Sequence, residues 1–263
     1  MGDLIKMHQT PDSSVEDKAQ DLVYDAWDAA RITEAKKLAK QALLLDPYCT
    51  DAFNVLASYE KNIEKRSSFY RQAIETFKQR FDKKFFKENA GFFWGLFETR
   101  PYMRALAGYG EVLLMQDDNA AAIDVFQEAL KLCPDDNLGL RYPLLNCLLI
   151  ENDLKSASKL IKEYDENSAF MAYSKLLLSI KNQDTDECLA TRFRDSLTAN
   201  TYIVPYLLGI AKFPQSLPEY YQLGSKEEAV TYVLLDGYKV WALDGFALVK
   251  LRELQAQSIS PKE

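Results

Sequence analysis

The sequence predicts an all-α chain of stacked helical hairpins, and three observations carry that expectation. Apolar residues recur at three- and four-residue spacing through every long run, with no sustained alternation. Gly and Pro, 10 and 9 in number, stand between those runs and not at the close intervals of a sandwich or barrel. One stretch, 103–136, reads as two short amphipathic helices with small residues where they meet.

Counted from Met103 as position 1, Gly110 falls at position 8, Ala122 at 20, Phe126 at 24, Ala129 at 27 and Pro134 at 32. That is the pattern of a 34-residue tetratricopeptide repeat. Ala122, Phe126 and Ala129 share one helix face, and Gly110 on the first helix leaves room for close approach. Pro134 biases Cys133 away from helical geometry and ends the second helix, so Asp135, Asp136 and Asn137 are expected to cap the next one. A lone hairpin cannot bury its apolar face, so neighbouring repeats are required. The expected fold is therefore a tetratricopeptide-like helical-hairpin solenoid with an aromatic-rich insertion and a C-terminal helical cap.

Taken in order, 1–14 is expected to be a flexible tail, lacking both a secretory apolar core and, with Lys6 at the sixth position, a myristoylation signal. A single solenoid domain is expected over 15–257, with repeats at about 15–78 and 101–198 and a tail at 258–263. Repeat one takes Pro47 as position 32, which puts Val23 at 8, Ala35 at 20, Ala39 at 24 and Ala42 at 27. Repeat two has helices at 51–62 and from Ser67 or Ser68 to Phe81. The starts of repeats one and three lie 87 residues apart, which exceeds two repeat lengths by 19.

An insertion at about 79–100 accounts for the excess. Its apolar centre, GFFWGLFETRP, offers Phe92, Phe93, Trp94 and Phe97 either as an exposed partner-binding wedge or as the packing surface of an extra helix. Repeat four begins at Asn137, with Pro143 tolerated in the first turns of its helix. Repeat five has helices at 168–181 and 185–198. Beyond Asn200, Pro214 and Pro218 break the rhythm, Ser225 and Glu228 form a capping box, and helices at 226–235 or beyond and 245–257 close the array over 199–257.

Composition narrows the function classes. A net charge of -7 and a pI near 5.0 disfavour general nucleic-acid or anionic-membrane binding. The basic, aromatic stretch 61–87 is a local exception, kept as a nucleic-acid alternative, although interspersed acids fit a solvated helix face. Cys49, Cys133, Cys147 and Cys188 have no metal-ligand or redox spacing and suit packing in a reducing, cytoplasmic compartment. No apolar run is long enough to span a bilayer. The lone histidine, His8, sits in the expected tail, and Gly108 and Gly110 are not followed by a phosphate-loop signature, so no catalytic set, metal site or cofactor site is read.

Three stretches carry a family resemblance: FWGLFETRPYMRA at 93–105, PDDNLGLRYPLL at 134–145 and ANTYIVPYLLGIAKFPQSLPEYYQLGSKEEAVTYV at 199–233. They resemble tetratricopeptide proteins related to the suppressor of tumorigenicity seven family. The resemblance covers about 93–251 and implies a helical repeat protein that acts through partners, with no assigned catalytic residue. Animal members carry membrane segments outside the repeats, and those are missing from this chain.

The expected function is a non-catalytic scaffold that binds a peptide or protein segment in a concave groove, with an enzyme or enzyme subunit as the alternative. First helices of such repeats line the groove through positions 2, 5, 9 and 12. These are Arg104, Ala107, Glu111 and Leu114 in repeat three, and Leu138, Arg141, Leu145 and Leu148 in repeat four. Arg104 and Arg141 are the candidate grip for an acidic group on the partner, unless each is tied to a neighbouring carboxylate. Asn54 joins the candidate set, but Gln20 and Tyr24 stand where a carboxylate-clamping repeat protein would have its Lys and Asn set, so that clamp is not reproduced.

Overall fold

The computed structural model describes residues 13–259, and every regular element among them is helical. The expectations for Met1, Gly2, His8 and most of both tails fall outside the described residues. The chain forms two compact units, one up to Leu138 and one from Gly139.

The first unit holds α1 (Ser13–Asp28), α2 (Ile32–Leu45), α3 (Thr50–Ser58), α4 (Ile63–Arg80), α5 (Lys83–Asn89), α6 (Arg100–Met115) and α7 (Asn119–Leu132). Helices pair in chain order, α1 with α2, α3 with α4 and α6 with α7, while α3 also packs against both α1 and α6. In the first hairpin Ala19, Val23 and Ala26 of α1 are buried in one cluster with Ala35, Ala39 and Ala42 of α2, each set at i, i+4 and i+7. Small side chains on both faces let the two backbones approach closely. In the third hairpin Gly110 serves the same end, since a Cβ there would lie 2.2 Å from Cε1 of Phe126. Gly108, on the same helix, faces Tyr70 of α4 at 2.3 Å by the same measure, so α6 is fitted to two neighbours at once.

Repeat two departs from the expected boundaries. Its first helix is shorter, ending at Ser58, and its second starts at Ile63, because the Asn62 side chain caps the backbone N–H of Lys65 at 2.9 Å. The insertion begins after α4 and contributes a short α-helix, α5, and a 3-10 turn at Phe97–Thr99.

The second unit comprises α8 (Arg141–Ile150), α9 (Leu154–Glu163), α10 (Ala169–Lys181), α11 (Asp186–Ala199), α12 (Ile203–Leu207), α13 (Lys226–Tyr232), a π-helical turn (Val233–Gly237), α14 (Tyr238–Ala242) and α15 (Gly245–Ile259). Ser168 and Thr185 cap α10 and α11 at the residues where the sequence starts those helices. Asp135, Asp136 and Asn137 do not cap α8 as expected. Asp136 adopts φ 48° and Gly139 φ 70°, so the chain turns again before α8 starts, and its N-cap position is Leu140. Ser225 caps α13, but Glu228 reaches past the cap residue to the Gly224 N–H, which shifts the expected box by one residue.

One turn recurs between the paired helices of three hairpins. Asp117, Asn152 and Gln183 all adopt φ of 56–59° just after α6, α8 and α10. The next residue then donates its N–H five residues back: Asp118 to Leu113 at 2.9 Å, Asp153 to Leu148 at 2.9 Å and Asp184 to Ser179 at 3.0 Å. This six-to-one bond is the Schellman closure, made here without glycine. The same side chains continue into the following helix as caps in two cases, Asp118 to Ala121 and Asp153 to Ser156.

Candidate functional site: the α1–α3–α6 face

In the first unit the first helices of three consecutive hairpins, α1, α3 and α6, lie side by side, and their polar residues converge on Asp51. Asp51 follows the α3 N-cap position and is 0% exposed. Arg104 of α6 donates its Nε to Oδ1 at 3.0 Å and its Nη2 to Oδ2, a two-pronged ion pair. Gln20 of α1 donates to Oδ2 at 3.3 Å, and Asn54, one turn on in α3, donates to Oδ1 at 2.9 Å. The Asn54 amide also donates to the carbonyl of Pro101 at 2.9 Å, so it ties α3 to the start of α6.

Around this buried network lies a less buried rim. The guanidinium of Arg104 sits 5.0 Å from the Trp27 ring centroid, and Trp27 is 5.9 Å from Tyr24 on the next turn of α1. Both aromatics are exposed. Glu111 is an exposed residue about two turns beyond Arg104 along α6. Its carboxyl is nevertheless packed closely enough for desolvation to raise its pKa, against the lowering effect of Arg66.

The structure brings together Arg104 and Asn54 of the expected site, and adds Asp51 and Trp27, which sequence reasoning missed. A signal for Asp51 existed: an acid on an inner helix, one turn before Asn54, is suited to meet the arginine expected on the neighbouring inner helix. Trp27 lies one heptad after Gln20, with Tyr24 between, which places all three on one side of α1.

The other expected residues have different surroundings. Arg141 belongs to the second unit, where its Nη2 donates to Glu166 at 2.9 Å and its guanidinium lies 4.3 Å from the Tyr142 ring centroid. Glu166 also accepts from the hydroxyls of Tyr142 at 2.5 Å and Ser168 at 2.6 Å. Burial pushes the Glu166 carboxyl up, but those hydroxyls and Arg141 together hold it below the usual range. Leu145 is 1% exposed and so is core, not surface. The face of α8 is covered by the π-helical turn and α14, and Asn146 donates to the Leu235 carbonyl at 3.4 Å.

The insertion is divided between core and surface. Phe93 is fully buried in an aromatic cluster with Phe77, Phe86 and Tyr102, Trp94 is half-buried, and Phe92 and Phe97 are exposed. In the basic stretch 61–87, Lys78 pairs with Glu128, Arg80 with Asp46 and Glu16, and Lys84 with Glu88. Cys49, Cys133 and Cys147 are buried, as packing residues should be, and Cys188 is half-buried. Among the described residues no group of three His, Cys, Asp or Glu side chains could hold a metal, and no helix is long and apolar enough to cross a membrane.

No family model matches the chain, and no curated protein matches it. Among solved structures it is similar to one titled as a functional characterization of PilF from Pseudomonas aeruginosa. The two share 18% identity and a TM-score of 0.34, over 68% of this chain and 89% of that one. At that distance the likeness carries nothing about the site.

Proposed function

We propose that the chain is a non-catalytic scaffold that binds a protein segment along the α1–α3–α6 face of its first unit. The observation that carries this reading is the exposed Tyr24–Trp27 pair beside an arginine whose position is fixed from below by a fully buried Asp51. Aromatic rings with a rigid arginine among them are the side chains that dominate protein interfaces. Asp51 occupies Nε and Nη2 of Arg104, which leaves Nη1 for a carbonyl or carboxylate of the bound segment. Preorganisation lowers the entropy cost of that contact.

The non-catalytic part of the proposal draws support from three buried tyrosines whose pKa is raised. Tyr102, Tyr173 and Tyr232 are raised chiefly by burial, and each hydroxyl is committed to a structural partner: Glu128, the Asn200 carbonyl and the Trp241 indole N–H respectively. A partner-dependent role also fits the resemblance to relatives of the suppressor of tumorigenicity seven family. A cytoplasmic setting fits four cysteines without disulfide spacing.

A photo-crosslinking residue placed at position 24 tests the site, with position 40 on the exposed side of α2 as control. The expected result is capture of a discrete protein from position 24, absent from position 40 and lost with Trp27→Ala. Equal capture from both positions, or capture indifferent to Trp27→Ala, overturns the assignment.

A further inference from the structure

The insertion presents a second surface, built differently from the α1–α3–α6 face. The turn after α5 is held at several points. The N–H groups of Gly91 and Phe93 donate to the Leu132 carbonyl at 3.0 and 3.2 Å. The Thr99 hydroxyl donates to the carbonyls of Phe93 and Leu96, and Arg100 Nε donates to the Trp94 carbonyl at 2.9 Å. Phe93 anchors the turn in the aromatic cluster. In the turn held this way Phe92 is 71% and Phe97 76% exposed. Exposed rings of that size on a rigid support mark an interaction surface.

The charges beside the rings indicate the occupant. Lys83, Lys84 and Lys87 are exposed on α5, and Arg100 lies 4.3 Å from the Phe97 centroid and 5.4 Å from that of Trp94. Lys84 shares its charge with Glu88, and Asp82 is engaged as the α5 cap, which leaves Glu98 as the exposed acid of the turn. Exposed phenylalanines with Arg100 against one of them, next in the chain to a short helix that carries exposed lysines, are matched to a lipid–water boundary. The rings enter the headgroup and acyl border while Lys and Arg reach back to the lipid phosphates. Either element alone binds weakly, and the two together give the paired apolar and basic signals that peripheral docking requires. The overall charge of -7 opposes docking through the average surface, so contact is directed to this local patch.

We infer that residues 83–100 dock the first unit peripherally onto an anionic lipid surface, with Phe92 and Phe97 inserted and Lys83, Lys87 and Arg100 at the headgroups. This rests on residues outside the proposed partner site and stands or falls apart from it.

Flotation of the full chain with phosphatidylcholine vesicles, with and without about 30% phosphatidylserine, tests the inference. The chain should float with the anionic vesicles, and less so as salt is raised. Phe92→Ser with Phe97→Ser should lower partitioning by about tenfold. Lys83→Glu with Lys87→Glu should remove the preference for phosphatidylserine. All four positions are exposed, so the helical melt of each variant should match that of the parent. Failure to float with anionic vesicles at low salt overturns the inference, as does flotation that survives the phenylalanine pair. Protein capture by a crosslinker at position 92 without vesicle binding assigns the tip to a protein partner instead.

Discussion

Asp51 is the buried counter-ion of Arg104, and the pair joins the middle helix of the α1–α3–α6 face to its last helix. The carboxylate is fully excluded from solvent, whereas the guanidinium keeps about a third of its side-chain surface, 32%, exposed. Removing the arginine therefore leaves a buried charge without its counter-ion, held only by the amides of Gln20 and Asn54. Arg104→Ala should destabilise the fold by about 3–5 kcal/mol in urea denaturation. Arg104→Lys should recover only part of that, because an ammonium cannot supply the two-pronged contact. A loss under about 0.5 kcal/mol for Arg104→Ala would mean that the carboxylate is not held as described.

The Gly110 contact with Phe126 sets two effects against each other. Alanine in a helix interior is favoured over glycine by about 1 kcal/mol. Here, however, the added Cβ would stand 2.2 Å from a ring that is itself fully buried. Overpacking costs about 1–3 kcal/mol, so Gly110→Ala should lower the melting temperature. Gly245→Ala, with nothing within 4 Å of its Cβ, should not lower it. A Gly110→Ala variant as stable as the parent would show that the hairpin can open without cost.

Stability should fall at alkaline pH. Burial pushes the Cys49 thiol from 9.0 to about 12, and burial likewise raises Tyr102, Tyr173 and Tyr232 above the usual 10.0. Above those ordinary values the unfolded chain has lost protons that the folded chain retains, so stability declines with rising pH. It is full below pH 9 and declines through pH 9–12, measurable by urea denaturation across that range. In the folded state at pH 8, Cys188 should be alkylated well before Cys49, which mass mapping of iodoacetamide adducts would reveal.

Glu228 closes the second unit through its carboxylate. It is 0% exposed and accepts from the Gly224 N–H at 2.7 Å, the Asn200 amide at 2.9 Å and the Ala169 N–H at 3.3 Å. An amide nitrogen in place of Oε1 opposes the Ala169 N–H, and in place of Oε2 it opposes both Gly224 and Asn200. Glu228→Gln should cost about 1–3 kcal/mol, and Glu228→Ala more, because it leaves several buried donors unpaired. Preserved stability in both variants would exclude this carboxylate as a fastening point.

The sequence by itself determined the helices and their pairing. Small apolar residues at i, i+4 and i+7 on both members of the first hairpin, and glycine opposite phenylalanine in the third, leave little choice of packing face. Ser168, Thr185 and Ser225 likewise mark helix starts, because a cap is a local interaction between residues three apart. Tertiary structure decided which polar residues became surface. Arg104 and Arg141 both stand at groove-lining repeat positions, the second and the fifth, yet the carboxylates that meet them, Asp51 and Glu166, lie 53 and 25 residues away in the chain. Leu145 occupies a groove position by count and is core, on a helix that packs against α9, α10, the π-helical turn and α14. In the insertion, period and composition were the same for Phe92, Phe93 and Phe97. Contacts made across the fold, the bonds to the Leu132 carbonyl and the packing of Phe93 on Phe77 and Phe86 among them, set the turn that buries the second ring and exposes the other two. Local spacing sets which face a helix offers, while burial depends on what the rest of the chain brings against that face.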